Sequence, residues 1–200
     1  MPLELITPPT IEPVTYQQVL DHLRINPYDS AIDEASIEYI ETLIRAVRDY
    51  TESFLDRALI TQTWKYYLDG WPDTNYIEIP KPPLQSITSI TAMTEDAVPS
   101  SLDPVYYLVD TVSSRGRLML AEDESWPTEA LYPLNPIRIV FVCGYGSAAS
   151  DVPKQIVQAI LLQVAELYDN REPIIQGQPL QKLDTVERLL WPKKVWTCVR

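Results

Sequence analysis

Two hundred residues, 46% of them hydrophobic and 22% charged, are enough for one large domain or two small ones with a real core, and they exclude general disorder. Sixteen Lys and Arg stand against 28 Asp and Glu, a formal net charge of -12, which excludes a sequence-independent grip on nucleic acid. A wall along which DNA slides without sticking stays open.

The leader, residues 1–14, is rich in proline through Pro8, Pro9 and Pro13 and reads as extended. It lacks the positive charge and apolar run of a signal peptide, and no window reaches membrane-spanning length, so assembly in the cytoplasm is expected. Thr15 suits the N-cap of a short helix from Tyr16 to Leu23, with Gln18 in capping-box position and Val19, Leu20 and Leu23 on one face. Pro27 ends it. From Asp33 to Leu55, apolar residues at Ile37, Ile40, Ile44, Val47 and Phe54, widened by Leu43 and Tyr50, predict a long amphipathic helix. Glu34 and Glu38 early and Arg45, Arg48 and Arg57 late complement the helix dipole.

The chain then changes character. Thr61–Leu68, Tyr76–Ile79, Ile87–Met93, Val105–Val109, Arg117–Leu120 and Ile137–Val142 are short β-branched, aromatic or alternating runs, separated by turns and prolines. Helix returns after Gly144-Tyr145-Gly146, with Asp151 as the expected cap and Pro153 in the first turn. Ile156, Ala159, Ile160, Val164 and Leu167 form its apolar face, up to Asp169. A loop through Pro173, Gly177 and Pro179 leads to a last helix, Leu180–Leu190, stopped by Pro192. The predicted class is therefore α+β: about four helices with a small antiparallel β-rich insertion between the second and third. The expected divisions are an extended leader (1–14), a helical core (15–60 and 147–190), an inserted β subdomain (61–146) and a tail (191–200).

Side-chain chemistry is sparse. His22 is the single histidine and Cys143 and Cys198 are far apart, so neither a zinc site nor a histidine-centred acid–base site is expected. Cys143, in an apolar run, reads as a buried thiol and Cys198 as an exposed one; two cysteines suit a reducing compartment. No Gly-x-Ser-x-Gly elbow, phosphate-cradling loop or dinucleotide fingerprint occurs, and Gly144-Tyr145-Gly146 reads as a tight turn. Glu122-Asp123-Glu124 beside Trp126 is the best local pair of carboxylates for glycoside chemistry, against the plainer reading of an acidic loop. The Trp and Tyr content suits a sugar-stacking surface, although Trp64, Tyr66 and Tyr67 fit strand packing better. The expectation is a protein that is not an enzyme, with no catalytic, cofactor or metal residues. Trp191, Trp196 and Arg200, beside Lys193 and Lys194, are large anchors at one end of the chain, where interface hot spots sit.

Several phrases carry a resemblance: Ala58-Leu59-Ile60-Thr61-Gln62-Thr63-Trp64, Leu68-Asp69-Gly70-Trp71-Pro72, and Pro82-Pro83-Leu84-Gln85-Ser86-Ile87-Thr88-Ser89-Ile90. Phe141-Val142-Cys143-Gly144-Tyr145-Gly146, the Val152–Leu162 segment, Tyr168-Asp169-Asn170-Arg171-Glu172 and the opening Asp21-His22-Leu23-Arg24-Ile25 add to it. In this order they cover about residues 15 to 190, and the chain resembles the tailed-phage head–tail connector, or adaptor, family. Cys143 departs from the small residue expected there, and Val195–Arg200 has no counterpart.

The resemblance implies a ring of about twelve subunits, closed by rotation, beneath the portal in the virion neck. It implies partners: the portal protein on one side and the next neck or tail component, a head-completion, stopper or terminator protein, on the other. DNA passes through the lumen unbound. By analogy the portal-binding residues are Trp191, Lys193, Lys194, Trp196 and Arg200. A ring needs lateral contacts, and Ile37, Glu41, Arg45 and Arg48 on the long helix are the candidates. The alternatives are a carbohydrate-binding or carbohydrate-active domain, and another neck part such as a head-completion or tail-terminator protein.

Overall fold

The computed structural model describes residues 2–25, 34–170 and 184–196. The fold is α+β: among these residues it holds four α-helices and eight strands, all paired antiparallel in one five-stranded and one three-stranded sheet. The chain divides into two compact units, Met1–Thr10 with Ile60–Tyr145 and Ile11–Leu59 with Gly146–Arg200.

The first unit is β. Its five-stranded sheet runs β1 (Leu3–Thr7), β2 (Gln62–Leu68), β8 (Ile137–Cys143), β4 (Leu84–Met93), β5 (Pro99–Ser101). β8 is central because its alternation is strict: Ile137, Ile139, Phe141 and Cys143 are fully buried, and the residues between them face the other side half-exposed. Its register with β2 is unbroken from Gln62↔Cys143 to Leu68↔Ile137. With β4 it shifts twice, at Leu84/Ser86 and Ile87/Ser89, which gives β4 two bulges. Gly144 follows β8 at φ +123°, where a Cβ would stand 2.5 Å from the Ile60 carbonyl oxygen; only glycine fits. The smaller sheet is β3 (Tyr76–Glu78), β7 (Arg117–Leu120) and β6 (Tyr107–Asp110), with β7 in the middle.

The second unit is helical. α1 (Tyr16–Leu23) starts from Thr15, whose hydroxyl accepts from the Gln18 N–H while the Gln18 side chain accepts from the Thr15 N–H, a complete capping box. α2 (Glu34–Leu55) packs on α1 and on α3 (Lys154–Asp169), and α4 (Asp184–Leu190) packs on α3. Their shared core is Val19, Leu20, Ile40, Ile44, Val47, Leu55, Ile156, Ala159, Ile160, Val164, Val186 and Leu190. Each large aliphatic side chain buried here contributes about 1.5–3 kcal/mol against exposure.

The structure departs from the sequence expectations at six places. The leader is extended, but Leu3–Thr7 is also paired, antiparallel to β2. Pro99–Ser101, polar and proline-led, is a strand that alternation does not reveal. Val105 lies in a 3-10 turn capped by Asp103, and the strand begins only at Tyr107. Asp151 does not cap α3: its carboxylate turns back to the Ala148 N–H within a preceding 3-10 turn, and Pro153 holds the cap position. On α2 the buried row runs Ile40, Ile44, Val47, Thr51, Leu55, while Tyr50 is exposed and Phe54 half-buried. That buried row is one continuous stripe of i, i+3 and i+4 steps, and Phe54 and Tyr50 lie together to one side of it. Leu167 on α3 is likewise outside its buried row.

Candidate functional site

The basic-aromatic segment after α4 is folded onto the end of α2 rather than hanging free, as far as Trp196. Leu190, buried, closes α4; a 3-10 turn, Trp191–Lys193, follows, with Pro192 at its start, and Lys194 ends it. The Val195 N–H then donates to the Leu55 carbonyl at 3.0 Å, and the Val195 side chain is buried. Arg57 Nε donates to the Lys193 carbonyl at 2.6 Å. Two orphan carbonyls, one at a helix end and one in a turn, are thereby satisfied.

This pinning fixes a row of large side chains. The Lys194 ammonium sits 4.2 Å from the Phe54 ring centre and 5.4 Å from that of Trp196. Trp196 meets Trp191 edge-on, 4.8 Å apart at 66°. Phe54 stacks on Tyr50 at 6.2 Å. Despite these contacts Trp191 and Trp196 remain 52% and 56% exposed, so their outer faces are free for another surface. Glu187, Arg188, Trp191 and Pro192 line an open depression beside them. Rigid aromatics with a cation held among them would lose little rotamer freedom on docking, the property that suits interface anchors.

Of the sequence candidates, Trp191, Lys193, Lys194 and Trp196 are thus brought together, and Arg200 lies outside the described residues. Sequence reasoning missed Tyr50, Phe54 and Arg57 as members of this patch. Tyr50 and Phe54 share a helix face by their i, i+4 spacing, but nothing local says that the tail covers one of them.

The four α2 candidates divide. Glu41 and Arg45 pair at 3.1 Å on the exposed face. Ile37 is half-buried. Arg48 is committed within its own chain, 2.7 Å from Glu12, 2.8 Å from Asp49 and 3.5 Å from Glu52. Burial opposes its charge, but the Glu12 hydrogen bond and the three carboxylates outweigh that and raise its pKa.

Elsewhere, His22 is half-buried at the end of α1, and Cys143 is a buried thiol that donates to the Gln62 carbonyl; Cys198 is outside the described residues. Glu122, Asp123 and Glu124 form an exposed loop. Trp126 near it stacks flat on Trp71 at 4.8 Å, donates its N–H to the Thr74 carbonyl and is half-buried. Among the described residues there is no group of three or more His, Cys, Asp or Glu able to hold a metal, and no helix long and apolar enough to cross a membrane.

No family model matches the chain. No curated protein matches it. Solved structures do. A chain in the neck of an empty gene transfer agent particle, computed with C6 symmetry, aligns with a TM-score of 0.78 at 20% identity over 98% of this chain and 97% of that one. A chain in the virion of the native particle aligns with a TM-score of 0.78 at 21% identity and the same coverage. A chain in the neck of the native particle, computed with C12 symmetry, gives 0.66 at 19% identity, again covering 98% and 97%. At these identities the likeness is one of fold, and it extends over nearly the whole of both chains.

Proposed function

We propose that this protein is a structural subunit of a phage-like neck: a head–tail connector, or adaptor, that forms a ring on the portal, extends the DNA channel and docks the next neck or tail component. The observation that carries the reading is the end-to-end fold likeness to chains of gene transfer agent necks and virions, with neither chain left largely uncovered. Both units share in the likeness, as expected if the whole fold is one building block.

In this reading the patch of Trp191, Lys193, Lys194 and Trp196, backed by Phe54 and Arg57, docks on the portal. The exposed α2 face with Glu41 and Arg45 contributes to the contact between neighbouring copies, beside Ile37, and Arg48 holds that helix to Glu12. The acidic balance suits a channel wall: at -12 per chain, a ring of about twelve copies repels DNA and favours sliding over sticking. The likeness also favours a neck component over a carbohydrate-active domain, for which only a half-buried indole and an acidic loop speak.

Mass photometry of the purified protein, alone and mixed with its portal, tests this. A ring-sized species, or a monomer that joins the portal in about twelve copies, is expected. A monomer that ignores the portal at micromolar concentration rules the adaptor role out and turns attention to other neck positions.

A further inference from the structure

The two sheets leave four free edges among the described residues: β1 and β5 on the larger, β3 and β6 on the smaller. An open edge is a template for another strand, and proteins blunt it with proline, charge or brevity. β5 is three residues long and opens on Pro99. β3 is three residues long and runs into Pro80. β1, Leu3-Glu4-Leu5-Ile6-Thr7, and β6, Tyr107-Leu108-Val109-Asp110, contain no proline and no lysine.

The hydrogen-bond phase of each edge follows from the register. The Ala121 N–H donates to the Tyr106 carbonyl, which makes Tyr106 and Ala121 a bonded pair in the β6–β7 ladder. Bonded pairs recur every second residue, so Leu108 and Asp110 turn inward to β7, while Tyr107 and Val109 turn their N–H and C=O groups to the open edge. In the same way the Tyr67 N–H donates to the Pro2 carbonyl, Glu4 turns toward β2, and Leu3 and Leu5 face outward.

The side chains at both edges suit a dry contact. Around β6, Leu108 is 57% exposed, with Val105, Val109 and Met119 also exposed. On β1, Leu5 and Ile6 are exposed. In a chain of net charge -12, copies repel one another, yet the one carboxylate within each of these two strands is countered in place. Asp110 pairs with Arg117 at 2.8 Å. Glu4 pairs with Lys65 at 3.3 Å and accepts from Tyr67.

We infer that β6 of one copy adds to β1 of the next, so that neighbouring subunits in the ring are joined by an intermolecular β-sheet. A ring closed by rotation needs two different surfaces on each copy. This chain carries two open edges of different sequence, each with the carboxylate of its own strand paired. The inference rests on the ring reading above and adds a second lateral contact to the one assigned to α2.

Hydrogen exchange on the unmodified protein, free and in the assembled ring, is the test. The amides of Leu3, Leu5, Tyr107 and Val109 exchange rapidly in the free subunit and become protected in the ring. Val109→Pro removes an outward N–H that the β6–β7 ladder does not use, so the variant keeps its circular dichroism and loses the ring-sized species. Rings whose four amides exchange as fast as in the free subunit overturn the inference and leave the ring reading standing. So do undiminished rings of folded Val109→Pro. Should that variant fail to fold, the exchange result on the unmodified protein decides. A wild-type chain that makes no ring, with or without its portal, overturns both.

Discussion

Glu52 is a charged residue 8% exposed on the inner side of α2, and two partners explain its place. Its carboxylate accepts from the Leu59 N–H at 2.8 Å, seven residues on, and lies 3.5 Å from Arg48. It closes the turn in which the chain leaves α2, where Leu59 itself is fully buried. Replacing Glu52 with Ala strands that buried N–H and leaves Arg48 short of one counter-charge. A loss of about 2–3 kcal/mol is expected, read as a lower urea midpoint at unchanged slope. An unshifted midpoint would mean that water reaches Leu59. Asp110 gives a second test at this scale. The Ser113 hydroxyl donates to its carboxylate, Arg117 pairs with it, and the Ser113 and Val112 N–H groups donate as well, all favouring the charged form and lowering its pKa. Because the folded value is depressed, this support is present above the ordinary aspartate range and is lost as pH falls through the folded value. A carbon-detected NMR titration should find Asp110 still ionised when other exposed aspartates are half-protonated; a midpoint among theirs would remove it from the turn.

At the scale of elements, the parts written in local chemistry were legible. Thr15 and Gln18 place the start of α1 to the residue, because a capping box needs only four consecutive positions. Thr15→Ala should destabilise by about 1 kcal/mol, seen as a lower melting temperature, with Thr15→Ser close to wild type. Equal losses in the two variants would show that the hydroxyl is not the group at work. The β-branched run Ile137–Val142 likewise read as a strand, one residue short of β8. What the sequence hid is what depends on distant partners. β1 is a strand because β2 lies beside it, 56 to 63 residues away in the ladder, and its own residues do not alternate in burial. β5 exists only as the return of the β4 hairpin. The inner row of α2 was misassigned at Tyr50 and Phe54 because both are apolar and border the buried stripe, while polar Thr51 lies within it.

At the scale of the whole molecule, the proposed docking patch was half legible, and the missing half decides how to test it. Trp191, Lys193, Lys194 and Trp196 stand out in the sequence as a basic-aromatic cluster, whereas Phe54 and Arg57, which pin that cluster, belong to a segment well over a hundred residues earlier. Removing Pro192–Arg200 therefore does more than delete a tail. It takes away the buried Val195 side chain, the Val195–Leu55 hydrogen bond and the acceptor of Arg57, so lost docking by the truncated chain mixes binding with stability. The cleaner change is the pair Trp191→Ala and Trp196→Ala. Both indoles are more than half exposed, and both backbone links to Leu55 and Arg57 survive their truncation. Stability should then fall modestly, by about 0.5–1.5 kcal/mol for the lost edge-on ring pair, with the fold kept. If these indoles are hot spots, portal affinity should fall by about 2 kcal/mol or more for each, roughly thirtyfold. Lys194→Ala, which loses a cation–π contact of about 0.5–1 kcal/mol, should have a smaller effect on the same measurement. Full portal binding by the folded double variant would move the docking surface away from this corner while leaving the ring itself untouched.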